Sequence, residues 1–105
     1  MDRRRYEMEA ETLIKGRIAA LRSLTFDRAI VLPETTGEET LVAGRKCALT
    51  TFRQHVRPEE VLITVQLARR TLLGRGTVHT ERGLVFNRDG SVRDASREEL
   101  VAFGG

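Results

Sequence analysis

Apolar residues recur every three to four positions from Arg5 to Leu24, and at every second position over most of the remaining chain. That change of period predicts one long helix and then a sheet. Tyr6, Ala10, Leu13, Ile14, Arg17, Ile18 and Leu21 repeat at helical spacing, with Glu7, Glu9, Glu11, Lys15 and Arg22 on the other faces. Glu11 and Lys15 form a favourably oriented i, i+4 pair. Arg3-Arg4-Arg5 lies against the positive end of the helix dipole. It is therefore expected to be a frayed, solvated tail or to contact a partner.

Phe26 to Leu32 reads as a first short strand with Phe26, Ile30 and Leu32 on one face. Glu34-Thr35-Thr36-Gly37-Glu38-Glu39 supplies a hairpin turn whose glycine can take positive φ. Thr40 to Phe52 is a second strand, with Leu41, Ala43, Cys47 and Leu49 alternating, and Gln54 to Glu60 is a connection. Val61 to Leu73 has helix-like ends, Pro58-Glu59-Glu60 before it and Arg69-Arg70 and Gly74 after. Its β-rich run and the alternation of Val61, Ile63, Val65 and Leu67 favour a strand. Gly74-Arg75-Gly76 turns the chain into a fourth strand, Thr77 to Phe86, and Asn87-Arg88-Asp89-Gly90 is a further turn. Ser96 and Glu99 have the spacing of a capping box and open a short last helix through Phe103. The expected fold is α+β: a long N-terminal helix packed on a four-stranded antiparallel meander, with a short C-terminal helix, in one domain over residues 1–105.

Arg28, Arg45, Arg69 and Arg82 break this alternation in its inward-facing phase, one in each predicted strand. A charge in a core-facing position is costly unless something pairs with it. Register can be tested by whether apolar faces apolar. Centring the first hairpin on Thr36-Gly37 pairs Leu32 with Leu41 and Phe26 with Cys47, and sets Asp27 opposite Lys46. Centring the second on Arg57 pairs Leu49 with Val65, and the third, between Gly74 and Arg75, pairs Val65 with Leu84. These registers put Arg28 opposite Arg45, Arg45 opposite Arg69, and Arg82 opposite Leu67, so that three guanidinium groups cross neighbouring strands at about 5 Å spacing. Such a row has three possible explanations. Glutamates of the helices (Glu7, Glu9, Glu11, Glu98 or Glu99) neutralise it; it lies at the open mouth of the sheet with its heads in water; or it holds a carboxylate, a phosphate or an acidic partner segment.

Composition narrows the function classes only a little. The 105 residues are 40% hydrophobic and 31% charged, with a net charge of +3, which fits a globular chain. All but two of the 18 basic residues are arginine, the lysines being Lys15 and Lys46, so most cations are planar forks suited to oxyanions. No run is long enough to span a bilayer, and no signal-peptide pattern opens the chain. The lone Cys47 fits a reducing, cytoplasmic setting.

Catalytic motifs are absent: no Ser-His-Asp spacing, HExxH, CxxC, Walker loop or GxGxxG occurs. His55 and His79 fall far apart and read as surface residues, and Cys47 reads as a small core residue. No metal or cofactor is expected. Of the aromatics, only Phe52 is expected on the outer sheet face, too few for single-strand stacking, so nucleic acid is not the expected partner. Outward Val31, Val42 and Leu72 at one end, with Phe52 and Leu62 at the other, predict a homodimer through the sheet or cover by the last helix. The layout is similar to that of cystatin-like and NTF2-like domains, a likeness of architecture without a shared motif. The leading expectation is a non-enzymatic binding or assembly domain holding an anionic group on Arg28, Arg45 and Arg69, with Arg82 beside them. The alternatives are a small NTF2-like enzyme into whose pocket His55 swings, and an electrostatic nucleic-acid contact through Arg3 to Arg5.

Overall fold

The computed structural model describes residues 3–70 and 76–103. The first element, α1 (Arg3–Arg22), buries Tyr6, Ala10, Ile14 and Ile18, about one residue per turn. The Arg3-Arg4-Arg5 run is helical rather than frayed, and Arg3–Glu7 (3.5 Å) and Arg5–Glu9 (3.3 Å) are i, i+4 pairs. Next comes α2 (Phe26–Ala29), a helix where a strand was expected. Thr25 caps it by accepting from the Arg28 amide at 3.2 Å, and Phe26 and Ala29 enter the core side by side. The spacing of Phe26, Ala29 and Ile30 serves a helical turn as well as alternation serves a strand, and the cap decides between them.

Five strands follow in an antiparallel sheet of order β1-β2-β3-β4-β5. They are β1 (Thr35–Val42), β2 (Arg45–Arg57), β3 (Glu60–Arg70), β4 (Gly76–Asn87) and β5 (Val92–Asp94). The short helix α3 (Arg97–Phe103) closes the described chain. The α+β layout with a long first helix and a short last helix is as predicted, with one strand more. Within the described residues no helix is long and apolar enough to cross a membrane.

Of the predicted turn at Glu34–Glu39, all but Glu34 lies inside β1, and the real hairpin turn is Ala43-Gly44, with φ of 49° and 78°. Two successive positive φ values make the tight turn whose twist matches paired strands. Alanine costs about 1–2 kcal/mol there, and the Glu9 carboxylate of α1 offsets part of this by accepting from the Ala43 amide. Because the turn has moved, Leu41 faces solvent and Val42 is buried, the reverse of their expected phases. Arg28 is not opposite Arg45, and Asp27, on α2, is not paired across strands with Lys46.

The other two hairpins keep their predicted faces but slide by two residues. Leu49 pairs with Leu67 and Cys47 with Arg69, because the β2–β3 turn is Pro58-Glu59 with an irregularity between His55 and Arg57. Val65 pairs with Arg82, and Ile63 with Leu84. A two-residue slide conserves which side chains face the helix. Cys47, Leu49, Val61, Ile63, Val65, Leu67, Leu84 and Phe86 therefore join the α1 stripe in one core. The expected pairs Arg45–Arg69 and Arg82–Leu67 do not form. The predicted turn at Gly74-Arg75 and the end of the predicted third strand, with Leu72, lie outside the described residues.

On the opposite face, Leu62, Thr64 and Val85 are also buried. A Cβ built on Gly83 would meet Leu100 Cδ2 at 2.9 Å, Leu62 Cδ1 at 3.1 Å and the Ile63 carbonyl at 3.1 Å, so α3 seats Leu100 directly on the β4 backbone. Cover by the last helix is thus the fate of Leu62, while Val31 stays exposed. The capping box forms as predicted: Glu99 accepts from the Ser96 amide at 2.9 Å, and Ser96 Oγ accepts from the Glu99 amide at 3.1 Å. Arg93 of β5 adds two hydrogen bonds of 2.7 Å to the Glu99 carboxylate.

Two outcomes test this packing. Gly83→Ala should lower stability by about 1–3 kcal/mol in urea denaturation, and adding Leu100→Ala should recover part of the loss. The Arg93 hydrogen bonds, then the Ser96 amide, hold the Glu99 carboxyl at about 2, below its usual 4.5. Its stabilisation is therefore complete above pH 4.5 and is lost as pH falls toward 2. Glu99→Gln should flatten the stability–pH curve in that window.

Candidate functional site

The inward phase of the sheet still carries Arg45, Arg69 and Arg82, but they no longer form one row. Arg82, two residues from the core residue Leu84, meets Glu11 of α1 through both Nε (3.1 Å) and Nη2. Glu11 also lies 3.9 Å from Lys15. For Arg82, neutralisation by a helix glutamate is the account the structure supports. Arg28 is exposed on α2, beside the β2–β3 turn. Phe26 of that helix lies under Arg88, whose amide donates to the Glu59 carbonyl. Some eight residues of strand, about 26 Å, separate that end of the sheet from Arg69. Arg28 therefore does not belong with the other three.

Arg45 and Arg69 do come together. They line one cleft of about 670 Å³ with Arg3, Tyr6, Glu7, Glu11 and Thr80. The cleft lies where the first two turns of α1 cross the start of β2 and the end of β3. Arg69 is placed by its pairing with Cys47 on one side and Val78 on the other. Its guanidinium carbon sits 5.5 Å from the centroid of the Tyr6 ring, a cation–π contact worth about 0.5–2 kcal/mol. Its Nε is buried and has no hydrogen-bond partner. A buried donor left unpaired costs about 1–3 kcal/mol, a penalty of the same order as the ring contact, so this arginine's position on the cleft wall is not explained by a hydrogen bond of its Nε within the chain.

The charge on the cleft wall is uneven. Glu7 is engaged by Arg3 at 3.5 Å, and Glu11 by Arg82 and Lys15. Neither Arg45, which is exposed, nor Arg69 makes an ion pair among the described residues. A neighbouring cleft of about 540 Å³ runs along α1 past Arg82 to Arg97 and Leu100. There Arg82–Glu11 and Arg22–Asp94 close on each other, and Glu81 accepts from Gln66 at 3.0 Å.

Tyr6, Thr80 and Arg3 carry no mark in the strand alternation that would assign them to a site. Tyr6 gives the one signal available, being the first core residue of a helix whose N-terminal turns are rich in arginine. Its hydroxyl lies 3.8 Å from Cys47 Sγ. Burial first, and then the contact with Cys47, push the phenol up to about 12, against the opposing charge of Arg69. Arg53 is a further inward arginine that the sequence pattern did not single out. It shares the inward phase of β2 and donates from Nε to the Leu32 carbonyl at 2.6 Å, so it ties down the segment before β1.

His55 lies in β2, not in a loop, and is exposed. Ten residues of strand, roughly 33 Å, separate it from Arg45, which rules out its swinging into the cleft. The side chain of His79 lies outside the described residues. Cys47 is buried, as expected of a core residue. Among the described residues no group of three or more His, Cys, Asp or Glu side chains is arranged to hold a metal ion. Comparison with family models, with curated proteins and with solved structures finds no match to this chain.

Tyr6 is the only tyrosine and there is no tryptophan, so phenolate absorbance reports on this cleft alone. The folded protein should titrate near pH 12 and the urea-unfolded chain near 10. Because the unfolded state loses the proton first, stability should fall as pH rises from 10 toward 12. Arg69→Met should move the folded midpoint further up, since the guanidinium favours the phenolate.

Proposed function

We propose that this chain is a small binding domain, without catalytic chemistry of its own, that takes an anionic group in the cleft between α1 and β2–β3. One observation carries this: Arg45 and Arg69 stand unpaired on a single cleft wall whose glutamates are occupied by other cations. A guanidinium fork is built for oxyanions, and hydrogen bonds to charged groups are worth about 1.5–3 kcal/mol each. The half-buried Arg69 supplies the fixed part of the site, pinned over Tyr6, and the exposed Arg45 supplies the adaptable part. The volume falls in the range of about 300–1,000 Å³ usual for small-ligand sites. Arg28 and Arg82, proposed from the sequence as members of the same site, are outside it. A cystatin- or NTF2-like layout is part of this proposal, supported by one long helix lying across an antiparallel meander.

Sulfate titration followed by amide and Arg Nε NMR tests the assignment. Shifts should concentrate at Tyr6, Arg45, Arg69 and Thr80, and Arg45→Ala should weaken binding by roughly tenfold. Equal shifts at Arg28 and Arg97, or no effect of Arg45→Ala, would remove the site.

A further inference from the structure

We infer that the group this cleft takes is the phosphate monoester of a small molecule, rather than a carboxylate; this rests on the anion-binding reading of the cleft. The argument is one of donor number and direction. Arg45 enters from the first residue of β2, and Arg69 from β3, where it pairs with Cys47 two residues further along β2. The two guanidinium groups therefore reach the cleft from separate strands. A planar carboxylate has two oxygens and one charge, and a single fork already engages both oxygens and balances that charge, so a second unpaired arginine gains less from it than from a dianion. A tetrahedral phosphate presents three terminal oxygens and carries nearly two charges at neutral pH, so it can engage both forks.

The remaining wall fits the same group. Thr80 adds a neutral hydroxyl, and Tyr6 keeps its proton and adds no negative charge. The two carboxylates on the wall are engaged, Glu7 by Arg3 and Glu11 by Arg82 and Lys15, which lessens the repulsion a dianion would otherwise meet. The cleft's volume of about 670 Å³ exceeds what a bare phosphate fills, leaving room for the organic part of a small phosphorylated compound. In the neighbouring cleft along α1, by contrast, Arg82 and Arg22 are both paired.

The experiment compares ethyl phosphate, sulfate and acetate by NMR titration of the intact chain at pH 7.5 and 5.5. Ethyl phosphate and sulfate should bind at pH 7.5 at least tenfold more tightly than acetate. The second phosphate ionisation lies near pH 6, so ethyl phosphate should weaken about fourfold at pH 5.5, while sulfate, a dianion at both values, should not. Arg45→Ala, at an exposed position that leaves the core intact, should weaken both dianions about tenfold. Arg69→Lys keeps the charge but loses the fork, and should narrow the gap between phosphate and acetate. If acetate binds as well as ethyl phosphate, or if pH leaves the phosphate affinity unchanged, the phosphate assignment is wrong while the anion cleft stands. If none of the three moves Tyr6, Arg45, Arg69 or Thr80, both the assignment and the cleft fail.

Discussion

Tyr6, Ala10, Ile14 and Ile18, one residue per turn of α1, are sealed against the apolar face formed by β2, β3 and β4. Burying that seam determines where every other side chain of the helix lands. Ile14 is fully buried, and truncating such a residue costs about 2–5 kcal/mol. No single surface ion pair approaches that, so the seam sets the geometry and the polar rim adapts to it. With the helix seated, Glu9 reaches the Ala43 amide, Glu11 reaches Arg82, Arg17 reaches Glu38 of β1, and Arg22 reaches Asp94 of β5. One helix thus touches the first hairpin turn, the far strand and the near edge, and each contact follows from the register of the seam.

The inward arginines are resolved by the same geometry. A cation on a core-facing position must meet an anion, lie over an aromatic face, bond a carbonyl or reach water. Arg82 finds Glu11, Arg53 finds the Leu32 carbonyl, Arg69 lies over Tyr6, and Arg45 stays exposed at the strand start. Two of these four are fully answered within the chain. The other two face one cleft, and that asymmetry turns an oddity of pattern into a candidate site. The open edge of the sheet, β1, carries Glu38 and Glu39 and no comparable cluster of unpaired cations. Charges on an exposed edge strand guard against unwanted pairing.

Much of the fold was legible in particular segments. The four-fold repeat of α1, the alternation of Val61, Ile63, Val65 and Leu67, the Asn87–Gly90 turn and the Ser96–Glu99 box all form where the pattern puts them. Each is specified within a few residues of itself. The first hairpin was not legible, for a physical reason. Thr36-Gly37 is a better turn pair than Ala43-Gly44 on local propensity, and the turn that forms instead is one whose Ala43 amide is held by Glu9, more than thirty residues earlier. With that turn Arg45 moved from mid-strand to the lip of the cleft, while the Thr25 cap carried Arg28 onto a helix and out of the predicted site.

Periodicity, a local property repeated every two or 3.6 residues, was enough to determine which face each strand residue of β2, β3 and β4 turns toward α1. It therefore identified Arg45, Arg69 and Arg82 as inward-facing. Which of them are neighbours was decided only by the tertiary structure. Sliding a strand by two residues leaves every face unchanged while exchanging every partner: the β3–β4 slide separates Arg82 from Arg69, and the β2–β3 slide sets Cys47 opposite Arg69 in place of Arg45. The choice between a neutralised arginine and a free one rests on contacts across some seventy residues, such as Glu11 with Arg82. Such contacts depend on how the helix is seated and leave no trace in local pattern.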